Sequence, residues 1–204
     1  MISVYQLKPR FQALLRPYVV RLAERGVTAN RVTLAVAGGS IGVGILVLWL
    51  AWLRPLFLLI AAWQLVRMAL NAVDGMLARE FGQKSLLGAY LNELGDIVSD
   101  AALYAPFAAV TPFGPVWVGI VIFLAIASEF AGALGPMVGA PRQYQGPMGK
   151  SDRAVVFGIL GVWIAVADRP DWLFWLMPIL SVLLLWTIAA RIRGGIAAAP
   201  APEP

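Results

Sequence analysis

The chain has 204 residues, 60% of them hydrophobic and 13% charged, with a formal net charge of +5 and neither Cys nor His. Soluble domains carry about 45–50% apolar and about 25% charged residues, so this composition indicates a polytopic membrane protein. The missing Cys and His exclude thiolate metal sites, disulfides and imidazole acid–base catalysis, and the cations sit mostly at the ends of apolar segments, where an anionic bilayer rather than nucleic acid is the expected partner.

The first 27 residues are not a secretory signal, because Lys8, Arg10, Arg16, Arg21 and Arg25 interrupt the apolar residues. Leu7, Phe11, Leu14, Leu15, Tyr18 and Leu22 recur at helical spacing opposite those cations, the pattern of an amphipathic helix lying in the membrane interface and bent at Pro17. A plain topological anchor would show the same charges. Hydropathy then predicts six transmembrane helices, at Val32–Leu53, Leu56–Ala78, Ser85–Val110, Val116–Gly135, Ala154–Ala167 and Trp172–Ile192. The expected fold class is therefore all-α integral membrane. Only Arg54 and Arg169 fall on one side of these spans, so the positive-inside rule predicts that both termini and the loop holding Arg79 and Lys84 are cytoplasmic. Gly38 and Gly42 form a small-xxx-small pair suited to close helix packing, inside one subunit or across a homodimer, with internal packing the expected use. No repeat or domain boundary is visible: residues 1–195 read as one membrane domain and residues 196–204 as a disordered tail.

The informative segment is NAVDGMLAREFGQKSLLGAYLNELGD, Asn71 to Asp96. On a helix, Arg67, Asn71, Asp74 and Ala78 share one face, and Gly88, Asn92, Asp96 and Asp100 share another. The short connection EFGQK makes the two helices antiparallel neighbours, so Asn71 and Asp74 are expected to converge with Asn92 and Asp96 near the cytoplasmic interface. A carboxylate at membrane depth costs roughly 2.5–3.5 kcal/mol, and several together need a positive partner. Hard oxygen ligands without His or Cys favour Mg, Mn or Ca. The structural alternative is neutralisation of Asp74 or Asp100 by Arg67, with the Asn residues joining helices by hydrogen bonds. Gly75, Ala78, Gly88 and Gly95 leave space beside the acids, and Arg79 offers a bidentate phosphate partner. A polyphosphate, a divalent metal and a carboxylate base form a phosphoryl-transfer site.

The segment resembles the signature of the CDP-alcohol phosphotransferase family, D-x2-D-G-x2-A-R-x8-G-x3-D-x3-D. Asp74, Gly75, Ala78, Arg79, Gly88 and Asp96 match it at the same spacing, while Asn71 and Asn92 stand where two of its four Asp would be. The resemblance implies an enzyme of phospholipid synthesis in a bacterial-type inner membrane, transferring a phosphatidyl group from CDP-diacylglycerol to a small alcohol with release of CMP. It implies Mg or Mn as cofactor, metal ligands at Asn71, Asp74, Asn92 and Asp96, and nucleotide or diphosphate contacts at Gly75, Ala78, Arg79 and Gly88. Asp96 would be the catalytic base. Each Asn removes one negative charge, which Asp100 and Glu93 are expected to restore in part, Asp100 as a further metal ligand.

Arg142, Lys150 and Arg153 in the fourth-to-fifth loop resemble the family region that holds phosphate groups of acceptor or donor, and they lean the acceptor toward a phosphorylated alcohol such as glycerol 3-phosphate or an inositol phosphate. Topological anchoring explains the same charges equally well. Asn30 and Thr33 are candidates to border the nucleotide. Glu129, a carboxylate in the fourth span, is expected to pair with Arg67. Two other readings stand beside the enzyme: a catalytically impaired relative acting as a CDP-lipid-binding or scaffold protein, and a transporter, which would show broken helices in repeated halves that are not evident here.

Overall fold

Apolar runs bounded by short polar caps and Pro or Gly fold here as seven α-helices among the described residues. They are α1 (Val4–Glu24), α2 (Ala29–Trp49), α3 (Phe57–Glu80), α4 (Leu86–Tyr104), α5 (Pro115–Ala133), α6 (Lys150–Val166) and α7 (Leu176–Ala198). This computed structural model describes residues 4–200, with side chains from Phe11 onward. The caps satisfy amides that have no partner within the helix. Thr28 accepts from the Arg31 N–H at 3.3 Å, Ser85 from the Gly88 N–H at 2.9 Å, and the Asp152 carboxylate from the Gly149 N–H at 2.9 Å.

Four stretches, Ala29–Trp49, Arg54–Glu80, Pro115–Val138 and Asp171–Ala198, are long and apolar enough to cross a membrane. The other two expected spans coincide with α4, which carries Glu93, Asp96 and Asp100, and with α6, which has 17 residues. Both are helical, yet neither identifies itself as a span by length and apolarity. α7 continues to Ala198, so residues 196–198 are helical rather than part of a disordered tail. Residues 201–204 lie outside the described residues.

α2 packs against α3 and α4, α3 against α6, and α5 against α7, while α1 lies along α3. Leu15, Val19 and Leu22 pack toward Val73, Met76 and Leu77, whereas Phe11, Leu14 and Tyr18 remain exposed. Arg16 reinforces the seam by pairing with Glu80 at 3.1 Å. α1 runs through Pro17 as one helix, and the Leu7 side chain lies outside the described residues. The larger core is aromatic: Tyr104 stacks on Phe157 with centroids 3.8 Å apart, and Phe107 meets Phe57 and Phe157 edge-on.

The glycines that permit close helix packing differ from those expected. A Cβ at Gly44 would collide with the Ala102 carbonyl of α4, and one at Gly161 would stand 2.8 Å from the Phe57 carbonyl of α3. Gly38 and Gly42 are exposed, and a Cβ at either would meet nothing within 4 Å. Their spacing is right for an interface, but their angular phase on α2 turns them away from the subunit interior.

Candidate active site

The turn between α3 and α4 sets the geometry. Gly82 adopts φ 67°, a left-handed conformation that glycine accepts without steric cost. The adjacent Gln83 accepts from the Ala29 N–H at 2.7 Å and donates to the Val27 carbonyl at 3.5 Å, tying the turn to the start of α2. With the two helices held in this way, Asn71, Asp74, Asn92 and Asp96 line one cavity of about 590 Å³. The polar stripes of α3 and α4 converge as their spacing predicts.

A second chamber of about 460 Å³ opens between α2 and the α3–α4 turn, sharing Asp74, Gly75, Arg79 and Asn92 with the first. Asn30, Thr33, Ala78 and Gly88 complete this side. Asp74 is buried and accepts a 3.0 Å hydrogen bond from the Thr33 hydroxyl. A Cβ at Gly75 would stand 2.9 Å from Arg79 Nη2, and one at Gly88 would stand 2.7 Å from Asn30 Oδ1. These two glycines therefore let Arg79 and Asn30 lie close against the helices while lining the same chamber.

The charged residues divide into two sets. Asp96 faces the cavity, 2.5 Å from Lys150 Nζ and 3.4 Å from Arg67 Nη2. Asp100, one turn further along α4, does not line this cavity. Its two carboxylate oxygens are engaged by Arg67 Nη1 at 2.5 Å and Arg153 Nη2 at 2.8 Å. The expected recruitment of Asp100 as a metal ligand thus gives way to a buried ion-pair network. Arg153, 1% exposed, also donates to Met148 O at 3.0 Å and Ser128 Oγ at 3.3 Å. Its donors are spent on the protein away from the cavity, whereas Arg142 and Lys150 line the cavity while pairing with acids that also line it.

Glu129 pairs not with Arg67 but with Arg142 at 3.0 Å, Arg153 at 2.8 Å and Arg191 at 3.3 Å. Arg142 also pairs with Glu93. Arg191, which the sequence pattern does not single out, is buried, lines the cavity and donates to the Ser128 carbonyl at 2.5 Å. The signal for it was Glu129 itself: a carboxylate within an apolar helix requires a cation from elsewhere in the chain.

Asp74 and Asp96, with Asn71 and Asn92, give the cavity a lining that includes oxygen-bearing groups of the hard kind that Mg or Mn takes. Among the described residues no group of three or more Asp, Glu, His or Cys is placed to hold a metal ion, so the acidic share of any such site is small.

The inner membrane protein YnbA of Escherichia coli is 48% identical over 195 residues, covering 94% of this chain and 96% of that protein. The chain belongs to the YnbA family. A phosphatidylinositol phosphate synthase of Streptomyces avermitilis is 26% identical over 205 residues, spanning 90% of this YnbA-family chain and 79% of the synthase. The solved phosphatidylinositol phosphate synthase of Mycobacterium tuberculosis with CDP-DAG bound superposes with a TM-score of 0.76 at 20% identity, over 92% of this chain and 96% of that one. The same enzyme with manganese and citrate gives 0.71 at 22%, over 90% and 89%. No protein-family model matches the chain. The YnbA-family protein therefore shares its fold with these synthases. The similarities support the CDP-alcohol phosphotransferase resemblance seen in Asp74 to Asp96, and the YnbA relationship supports a bacterial-type integral membrane protein.

Proposed function

We propose that this YnbA-family protein is a CDP-alcohol phosphotransferase that moves the phosphatidyl group of CDP-diacylglycerol to a small alcohol and releases CMP. The observation that carries this reading is the convergence of Asn71, Asp74, Asn92 and Asp96 from two helices onto one cavity, with Arg79 beside them. Support comes from the related synthases, one of which has been solved with CDP-DAG and with manganese.

In this reading Gly75, Ala78 and Gly88 admit the nucleotide, and the Arg79 guanidinium grips phosphate oxygens. Asn71, Asp74, Asn92 and Asp96 would hold a divalent cation, which supplies positive charge to neutralise the diphosphate. Asp96 accepts the proton of the acceptor hydroxyl as its oxygen attacks the phosphorus of the phosphatidyl group. The new P–O bond forms as the bond from that phosphorus to the CMP oxygen breaks. Lys150 and Arg67 orient the Asp96 carboxylate for this transfer. Arg142 and Lys150 stand at the acceptor side, whereas Arg153 holds the fold.

An apolar groove of about 460 Å³ between α3 and α6, lined by Leu65, Val155, Ile159 and Val162, meets a smaller chamber at Gln64, Met68 and Ala154. That chamber shares Asn71, Lys150 and Ser151 with the polar cavity. These adjoining spaces suit a lipid whose acyl chain lies among the helices and whose headgroup reaches the acids. The carrying test is CMP release by purified protein given CDP-diacylglycerol, a panel of alcohols and Mg or Mn. Release is expected to require both an alcohol and the divalent ion. Retained CDP-lipid binding with no CMP from any alcohol would establish the impaired, lipid-binding relative instead, a reading favoured by the small acidic set.

The proposed arrangement has six spans, with both termini and the site cytoplasmic, and two chains meeting through the outward Gly38–Gly42 face. Since the chain has no Cys, single-cysteine variants test both points. A cysteine at Lys84 should react with an impermeant thiol reagent only when the cytoplasmic face is accessible. A cysteine at Gly38 should yield a disulfide-linked dimer in native membranes. Labelling of Lys84→Cys from the opposite face, or a Gly38→Cys variant that stays monomeric on oxidation, refutes the respective part.

A further inference from the structure

The cations at the acceptor end of the cavity are already neutralised by the protein. Five carboxylates line the cavity against four cations, and with Asp74 and Asp96 assigned to a divalent ion, Glu93 and Glu129 are the acids left at the acceptor end. Arg142 is bound by both Glu93 and Glu129, and its guanidinium lies over the Tyr144 ring, 5.1 Å from the centroid. Arg191 shares Glu129 and spends further donors on the Ser128 and Gln145 carbonyls. Lys150 is held by Asp96.

A phosphate monoester carries about −1.5 to −2 charges at neutral pH. To bind at Arg142 or Arg191 it would have to take the cation from Glu93 or Glu129, neither of which is assigned to the divalent ion, and the displaced carboxylate would stay nearby. Glu129 cannot swing away, because its side chain is only 8% exposed and is locked by three arginines. Glu93, 37% exposed, projects into the cavity and adds its own repulsion. A hydroxyl meets no such penalty, since it can donate to Glu93 and accept from Arg142 in the existing arrangement. An ammonium group would find Glu93 attractive.

Resting on the phosphatidyl-transfer reading, we propose that Glu93 and Glu129 make the acceptor end select an alcohol that carries no phosphate, against the lean that the cations alone suggest. Glu93 is then a specificity residue that faces the acceptor, and Glu129 acts through the arginines it holds.

The test compares glycerol with glycerol 3-phosphate and inositol with inositol 1-phosphate, using the purified full-length protein with CDP-diacylglycerol and Mg. In each pair the alcohol without phosphate should give at least a tenfold higher kcat/KM for CMP release. Glu93→Gln leaves Arg142 with Glu129 alone and removes the cavity-facing repulsion, which should shrink that ratio at least fivefold. In parallel, calorimetric titration with inorganic phosphate should show at least fivefold tighter binding to Glu93→Gln than to the wild type. Glu129→Gln should act in the same direction, but Glu93→Gln decides because Glu93 is not part of the buried network. A wild-type preference for the phosphorylated member of either pair overturns the proposal, as does unchanged phosphate binding in Glu93→Gln. If no alcohol yields CMP, the transfer reading fails on its own, and the phosphate titration still tells whether these carboxylates exclude phosphate.

Discussion

Asp96→Asn should reduce CMP release by about 10²–10⁴-fold, the usual contribution of a positioned proton acceptor, while CDP-lipid binding persists. Asn has the size of Asp and keeps an oxygen that accepts from Arg67 or Lys150, so the side chain can remain where the wild-type carboxylate sits. It cannot take a proton from the acceptor hydroxyl. Steady-state CMP release, read beside the thermal melting of the same detergent-solubilised sample, separates chemistry from folding. A variant that melts like the wild type yet turns over at a comparable rate would remove Asp96 from the base role. Asp74→Asn provides the contrast. Its loss should weaken divalent-ion affinity first, because Asp74 is the buried acid on the nucleotide side of the cavity and sits on Thr33 rather than on a cation.

Asp100→Asn should act on stability, costing about 3–5 kcal/mol, the typical result of breaking a buried ion pair and leaving its partners uncompensated. Arg67 and Arg153 are 2% and 1% exposed and approach Asp100 from opposite helices. Without its charge Arg67 would keep only Asp96 at 3.4 Å, and Arg153 would have to share Glu129 with Arg142 and Arg191. For a chain of this length that corresponds to a melting point lower by roughly 10 °C. The affinity for Mg or Mn, measured on the fraction that remains folded, should be unchanged, because neither Asp100 oxygen faces the cavity. A loss of metal affinity with normal stability would restore Asp100 to the metal shell.

The contrast between these neighbouring acids shows how far helical spacing carries. Asp96 and Asp100 are one turn apart on the same face and look equivalent along the chain. The convergence of Asn71, Asp74, Asn92 and Asp96 was legible because it follows from two local facts, the 3.6-residue period and a turn too short to let α3 and α4 separate. Asp100 fails as a ligand for a non-local reason: at its depth it meets Arg67 from α3 and Arg153 from α6 before it can meet a cavity. The pairing of Glu129 was illegible for the same reason, since its partners come from the loop before α6, from α6 and from α7. Gly38 and Gly42 illustrate another limit, because spacing along a helix does not set its rotation against a neighbour.

The cations posed the hardest reading. Arg142, Lys150, Arg153 and Arg191 have the same signature, a basic residue at the end of an apolar helix, whether they anchor in headgroups, bind substrate or neutralise a buried acid. Only their distances separate these roles, leaving Arg153 buried on Asp100 and Glu129, Lys150 on Asp96, and Arg142 and Arg191 shared between the cavity and Glu129.

By itself the sequence determined the membrane class, the helical elements, the exclusion of thiol and imidazole chemistry, and the meeting of the Asn71–Asp74 and Asn92–Asp96 stripes, because composition and short-range periodicity suffice for each. The tertiary structure alone decided which acids face the cavity, which are spent on arginines, and how much positive charge is left for a substrate. Those outcomes depend on ion pairs between helices distant in the chain, and long charged side chains settle there according to burial and mutual distance rather than order along the sequence.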